Sequence, residues 1–253
     1  MEKIKSIGLQ LYTIRDHMGT SGEVRDAFAR IMEMGYTEAQ TAGCKIPYEE
    51  FGKYAEEAGI RIVGTHDSLD MMINDLPQSI KNHRALGTTN MGIGGAMGMM
   101  KSEEGVMEFI KLANKIADEV YKEGFKFTYH NHSAEFMKYN GKRVMDMLVE
   151  GMDPVKTSFV LDTYWVQHGG GDVRAWIEKL SGRIDILHLK DMGRDGTGPY
   201  ITEIGNGNMD FGSIIESAQK SGVKYYVVEQ DRCPGDSFDS ARMSSEYIRS
   251  RYM

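Results

Sequence analysis

The chain has 253 residues, 41% of them hydrophobic and 26% charged, which is enough to bury one large core and typical of a water-soluble globular fold. A net charge of −7 argues against nucleic acid as a partner, because phosphate binding needs a basic face. No run of about 18 apolar residues provides a membrane span, and MEKIKSIGLQLYT enters a strand without the apolar stretch of a signal peptide, so a cytoplasmic location is expected.

Along the chain, an apolar strand, an amphipathic helix and a glycine recur in that order. Strand one is expected over Ser6–Thr13, followed by a helix with Val24, Ala27, Phe28, Ile31 and Met32 at helical spacing. Strand two spans Tyr36–Thr41, with Phe51, Tyr54, Ala55 and Ala58 on its helix. Strand three spans Arg61–Thr65, and the helix after it ends at Leu86. Strand four is Asn90–Gly94, running into a methionine-rich loop with Gly94, Gly95 and Gly98. The spacing is not GxGxxG, so the loop reads as close backbone approach at a pocket mouth rather than a phosphate cradle. The helix carrying Val106, Phe109, Ile110, Ala113, Ile116, Ala117 and Val120 has the clearest periodicity. Strand five lies in KFTYHNHSAEF, and a helix around Val144–Leu148 follows. Strand six is Ser158–Leu161, with Val173, Trp176, Ile177 and Leu180 on its helix. Strand seven is Ile184–Leu189, and a long loop, Asp191–Asp210, leads to a helix from Phe211 to Ala218. Strand eight is Lys224–Val228, and a helix over Ser240–Arg251 closes the chain. Seven helices thus end at Gly35, Gly59, Gly87, Gly124, Gly151, Gly182 and Gly222, the left-handed position after a helix that glycine suits. Eight near-equal strand–helix units without a linker predict a single-domain (βα)8 TIM barrel over residues 1–253, in preference to a doubly wound sheet.

Barrel active sites gather at the C-terminal strand ends. There the chain places His130, Asp162, His188 and Glu229, on strands five to eight. Singly, each has an ordinary reading: Asp162 as a helix cap, His188 as a satisfied core residue. Four on consecutive units point to one divalent ion, Mn²⁺, Co²⁺, Zn²⁺ or Mg²⁺, in an open site. Such an ion polarises a carbonyl and stabilises an enediolate while a free carboxylate or imidazole moves a proton. Glu135, His132, Glu229 and Lys190 are the candidates for that proton transfer, and Glu135 is an alternative to His130 as the strand-five ligand. His66, ending strand three, and Trp165 are candidate substrate contacts. His17 and His83 read as surface residues, and Cys44 and Cys233 as free thiols of a reducing compartment.

The segments GLQLYTIRD, YHNHSAEF, LDTYW, LHLKDM, EIGNGNMDF and VEQD, in this order, resemble the sugar phosphate isomerase/epimerase proteins of the xylose isomerase-like TIM-barrel superfamily. The resemblance implies one divalent metal and a small carbohydrate substrate, with Asp162, His188 and Glu229 matching the family's Asp, His and Glu ligands. At strand five the family's first glutamate is replaced by His130-Asn131-His132. The resemblance therefore implies an isomerase or epimerase acting through an enediolate. The missing glutamate makes one-sided chemistry, a lyase or dehydratase acting on a keto-sugar, keto-glycoside or inosose, the alternative. A metal phosphodiesterase would need more histidines and a basic surface, and a non-catalytic sugar-binding barrel would not need the ligand set. A homo-oligomer is compatible with the sequence, but nothing in the sequence requires one.

Overall fold

The computed structural model describes residues 2–253. Eight parallel strands form the barrel: β1 (Gly8–Gln10), β2 (Glu38–Thr41), β3 (Arg61–Thr65), β4 (Asn90–Ile93), β5 (Lys126–His130), β6 (Thr157–Asp162), β7 (Ile184–Leu189) and β8 (Tyr225–Val228). Their hydrogen-bonded order is β3-β2-β1-β8-β7-β6-β5-β4, a nearly closed (βα)8 barrel. Closure between β3 and β4 relies on side chains and single bridges. Asp67 pairs with Ile93, Asp67 N donates to Gly92 O at 2.8 Å, and Asn90 Nδ2 donates to Val63 O at 2.9 Å. Gly92 permits the approach: a Cβ there would lie 2.2 Å from Thr65 O.

Two apolar layers hold the barrel. Val63, Val160, Ile186 and Val227 fill its axis, and the larger core lies between the strands and the outer helices. The longest of these helices, Glu103–Lys122, buries the predicted stripe from Val106 to Val120 and is capped by Ser102 Oγ on Gly105 N. At the N-terminal end, buried Glu38 pairs with Arg61, and buried Asp185 with Lys126 and Lys224 at 3.6 and 3.1 Å. Polar closure at that end leaves the opposite end for chemistry.

Several expectations are corrected in detail. Strand one is only three residues long, because Leu11–His17 turns into a 3₁₀ helix. The loop Asp191–Asp210 contains an antiparallel hairpin, Asp191–Arg194 with Pro199–Thr202. The final helix begins earlier, at Ser237. Of the seven helix-ending glycines, six have positive φ. Gly151 does not; it lies inside the helix Val144–Gly151, where a Cβ would meet Ile110 Cγ2 at 2.8 Å. His83 is not on the surface. It is fully buried, between Thr65 Oγ1 (2.8 Å) and Ser79 O (2.7 Å). His17 is half-buried, its ring 4.8 Å from that of Phe238. Cys44 and Cys233 are both free.

Candidate metal centre

The parallel register sets Asp162 opposite His188, and β8 runs beside β7 so that Glu229 follows at the same end. His130 ends β5, the neighbour of β6 on the other side. One ligand atom from each of His130, Asp162, His188 and Glu229 lies within 4.8 Å of the others, and all four residues are buried. His130 Nε2 is 3.3 Å from Asp162 Oδ2 and 4.0 Å from Glu229 Oε2. His188 Nδ1 is 2.9 Å from Glu229 Oε2 and 3.6 Å from Asp162 Oδ2.

The outward side of each ligand is fixed. His130 Nδ1 faces Gly94 O at 3.4 Å and His188 Nε2 faces Gln40 Oε1 at 2.5 Å. Each of these acceptors holds a ring proton on the outer nitrogen and leaves the inner nitrogen to the cluster, the arrangement that tunes imidazoles as metal ligands. Asp162 spends Oδ1 on Trp165 N at 2.9 Å, so Oδ2 is its oxygen in the cluster, and Asn131 Oδ1 steadies the Asp162 backbone N–H at 3.0 Å. Two imidazoles and two carboxylates so oriented suit a divalent ion bonded at about 2.0–2.2 Å by each, with positions left for substrate.

Lys190 is the cation within this group. Its Nζ is 2.9 Å from Asp162 Oδ2, 2.7 Å from Glu229 Oε2 and 2.8 Å from Asp231 Oδ2, with no exposed surface. None of the three contacts aligns as a hydrogen bond. Burial opposes the Lys190 charge, but the three carboxylates outweigh it and raise its pKa. Burial likewise opposes ionisation of Asp162 and Glu229, and the Lys190 ammonium with the neighbouring imidazoles holds both below the ordinary carboxylate range.

The other predicted residues divide. His66 sits against His130 and His188, with ring centroids 4.7 and 5.3 Å away. The His132 ring lies 4.7 Å from His130 and 5.3 Å from Trp165, and Lys190 Nζ is 5.5 Å from the Trp165 ring. Burial, then the neighbouring His130 imidazole, pushes the His132 imidazole down to about 3, so it is neutral. Glu135 is not in the cluster. It accepts from Tyr129 Oη at 2.6 Å and His132 N at 2.9 Å, which ties down the short 3₁₀ helix Ser133–Phe136. His130 therefore occupies the strand-five position. Gln10 and Gln40, on β1 and β2, were not among the expected site residues. For Gln10 the signal is a polar residue ending the strand GLQ; Gln40 lies inside the polar strand EAQT, where nothing in the sequence pattern singles it out.

Fold and site together define a (βα)8 enzyme-type barrel with a cluster of metal-ligand residues at the C-terminal mouth. A family model described as xylose isomerase-like TIM barrel matches residues 23–251, and the chain belongs to that family. Among curated relatives, an inosose dehydratase of Geobacillus thermodenitrificans is 26% identical over 154 residues, 54% of this chain and 51% of the relative. The chain thus matches about half the length of that relative. Among solved structures, a sugar phosphate isomerase/epimerase from Parabacteroides distasonis superposes with TM-score 0.79 at 23% identity, covering 98% of this chain and 94% of that one. The IOLI protein with a bound zinc atom superposes with TM-score 0.74 at 13% identity, covering 98% and 99%. At these identities the structural likeness shows the fold.

Proposed function

We propose that the protein is a divalent-metal-dependent enzyme that removes a proton beside the carbonyl of a keto-sugar or keto-cyclitol and then eliminates water on the same face. One observation carries the one-sided reading: neutral His132 and the Lys190 ammonium both stand beside the Trp165 ring, at 5.3 and 5.5 Å, on one side of the ligand cluster. The resident ion would be held by His130, Asp162, His188 and Glu229, and a zinc-bound structural relative supports that reading. When bound, such an ion polarises the carbonyl and acidifies the adjoining C–H. The buried Nδ1 of His132 has no partner, so it is free to take that proton, and a base this weak serves only a C–H so acidified. Protonated His132 then gives that proton to the departing β-hydroxyl on the same face, which leaves as water, while the Lys190 ammonium, whose proton three carboxylates hold in place, steadies the leaving oxygen by its charge. Trp165 supplies an apolar wall against the ring and keeps water out. The curated relatives named as inosose dehydratases support this reaction class.

A second reading, isomerisation or epimerisation through the same enediolate, is favoured by the similarity to a protein titled sugar phosphate isomerase/epimerase. Two-base epimerisation asks for a carboxylate on strand five. Here that position is His130, and Glu135 is committed to Tyr129. The test is a screen of keto-sugars and keto-cyclitols with Mn²⁺ in deuterated water. Loss of water, with the hydrogen next to the carbonyl released to solvent, is expected. Deuterium incorporation with a changed configuration and no loss of water would replace the first reading with the second, and no exchange on any substrate would contradict both.

A further inference from the structure

The ligand residues occupy β5–β8, whereas the mouth formed by β1–β3 carries Gln10, Gln40 and His66. Their hydrogen bonds run in fixed directions. Tyr12 N donates to Gln10 Oε1 at 3.1 Å, which turns the Gln10 amide nitrogen towards His66 Nδ1 at 3.2 Å. An imidazole that accepts at Nδ1 carries its proton on Nε2. That His66 Nε2 is buried and has no partner. Gln40 shows the same logic. Its Oε1 accepts from His188 Nε2, which leaves Nε2 buried and likewise unpartnered, in a residue with no exposed surface. Both side chains touch or face the His188 ring, and β2 and β3 are adjacent, with Gln40 opposite Gly64 and His66 N bonded to Thr41 O at 2.8 Å.

A buried donor without an acceptor is costly, and two beside one candidate metal ligand mark a place where a substrate's acceptors complete them. We propose that Gln40 and His66 are a pair of fixed, neutral N–H donors that bind uncharged oxygens of the substrate, carbonyl or hydroxyl, on the β1–β3 side of the ligand cluster. Gln40 thereby has two tasks: its carbonyl orients the ligand His188 and its amide nitrogen recognises substrate. Because both donors are neutral, this end of the substrate is a polyol rather than a phosphate. The inference rests on the carbohydrate reading above.

Gln40→Glu separates the two tasks, since it keeps the acceptor for His188 and removes the donor; Gln40→Met removes both. Zn²⁺ affinity is measured by calorimetry on metal-stripped protein. Binding of D-fructose and 2-keto-myo-inositol is then measured on the zinc-loaded forms. The expected pattern is wild-type or tighter zinc binding in Gln40→Glu, weaker zinc binding in Gln40→Met, and at least tenfold weaker sugar binding in both. Unchanged sugar affinity in Gln40→Glu overturns the donor role, as does a parallel fall of zinc and sugar affinity in that same variant. A wild type that binds neither probe overturns the carbohydrate reading itself, and the donor assignment with it. Independently of any sugar, long-range ¹⁵N spectra should show the proton of His66 on Nε2, and a proton on Nδ1 would overturn the assignment.

Discussion

At the scale of single residues, the centre is a balance between one lysine and two carboxylates. Lys190 touches the same oxygens, Asp162 Oδ2 and Glu229 Oε2, that a metal ion would use, and Asp231 stands ready as a third partner. Lys190→Met should therefore act oppositely on two observables. Divalent-ion affinity, measured by calorimetry, should rise by at least tenfold as a competing charge disappears. The metal-free protein should melt at a lower temperature, because breaking a buried ion pair on one side costs about 3–5 kcal/mol. Unchanged affinity would show that the lysine does not contest the site. Glu135 teaches a different lesson. The SAEF sequence places a carboxylate near the strand end, yet a glutamate three residues after His132 is also placed to cap a short helix, and the Tyr129 hydroxyl takes its other oxygen. Sequence spacing alone does not separate a ligand from a cap.

Among elements, the seam between β3 and β4 and the loop after β7 were the least legible. Apolar periodicity and helix-ending glycines made the strand–helix alternation readable. Leu11–His17 was misread because LYTI looks like a continuing strand, and the hairpin Asp191–Arg194/Pro199–Thr202 was hidden by its glycines and prolines. His83 was misplaced because its helix turns polar residues, Ser79, Asn82 and His83, towards the β3–β4 seam. At that seam Asp67, accepting from Tyr48 Oη at 3.1 Å, is raised by burial from an ordinary 3.8 to about 6. An acid raised in the folded state contributes fully below its unfolded value, and that contribution is lost as pH climbs through about 4 to 6. The resulting penalty above pH 6 is about 3 kcal/mol. Asp67→Asn should therefore stabilise the protein in urea titrations at pH 7.5 and not at pH 4; equal effects at both would refute the assignment. The loop after β7 hangs on two carboxylates. Asp191 accepts from the backbone N–H groups of Met192, Gly205, Gly207 and Met209 at 2.8–3.3 Å. Glu203 accepts from Gln230, Ser240 and Thr202 at 3.1, 2.7 and 3.0 Å. Glu203→Ala leaves those buried donors unpaired and should cost about 1–3 kcal/mol. Hydrogen exchange should quicken across residues 191–210 while zinc affinity holds; protection like that of the wild type would show that Glu203 is not the anchor.

At the scale of the molecule, the barrel brings residues from positions 130 to 229 onto four consecutive strands, and a bound ion would join them. Among the described residues no helix is long and apolar enough to cross a membrane. Three of the four candidate ligand positions stand out in the sequence because buried apolar strands rarely end in unpaired Asp, His or Glu, and the fold brings those residues together. The fourth needed the fold, since both His130 and Glu135 met the spacing and only the strand geometry separates them. An ion bound only by the folded chain adds about 2.7 kcal/mol of stability at a hundredfold excess over its dissociation constant. The decisive measurement is a calorimetric titration of metal-stripped protein with Zn²⁺, comparing wild type with Asp162→Asn, a change that keeps the helix cap on Trp165 N and removes the ligand charge. One ion per wild-type chain, with affinity lost in the variant, is the predicted result; no saturable binding, or equal binding in both, would contradict a metal centre at these four residues.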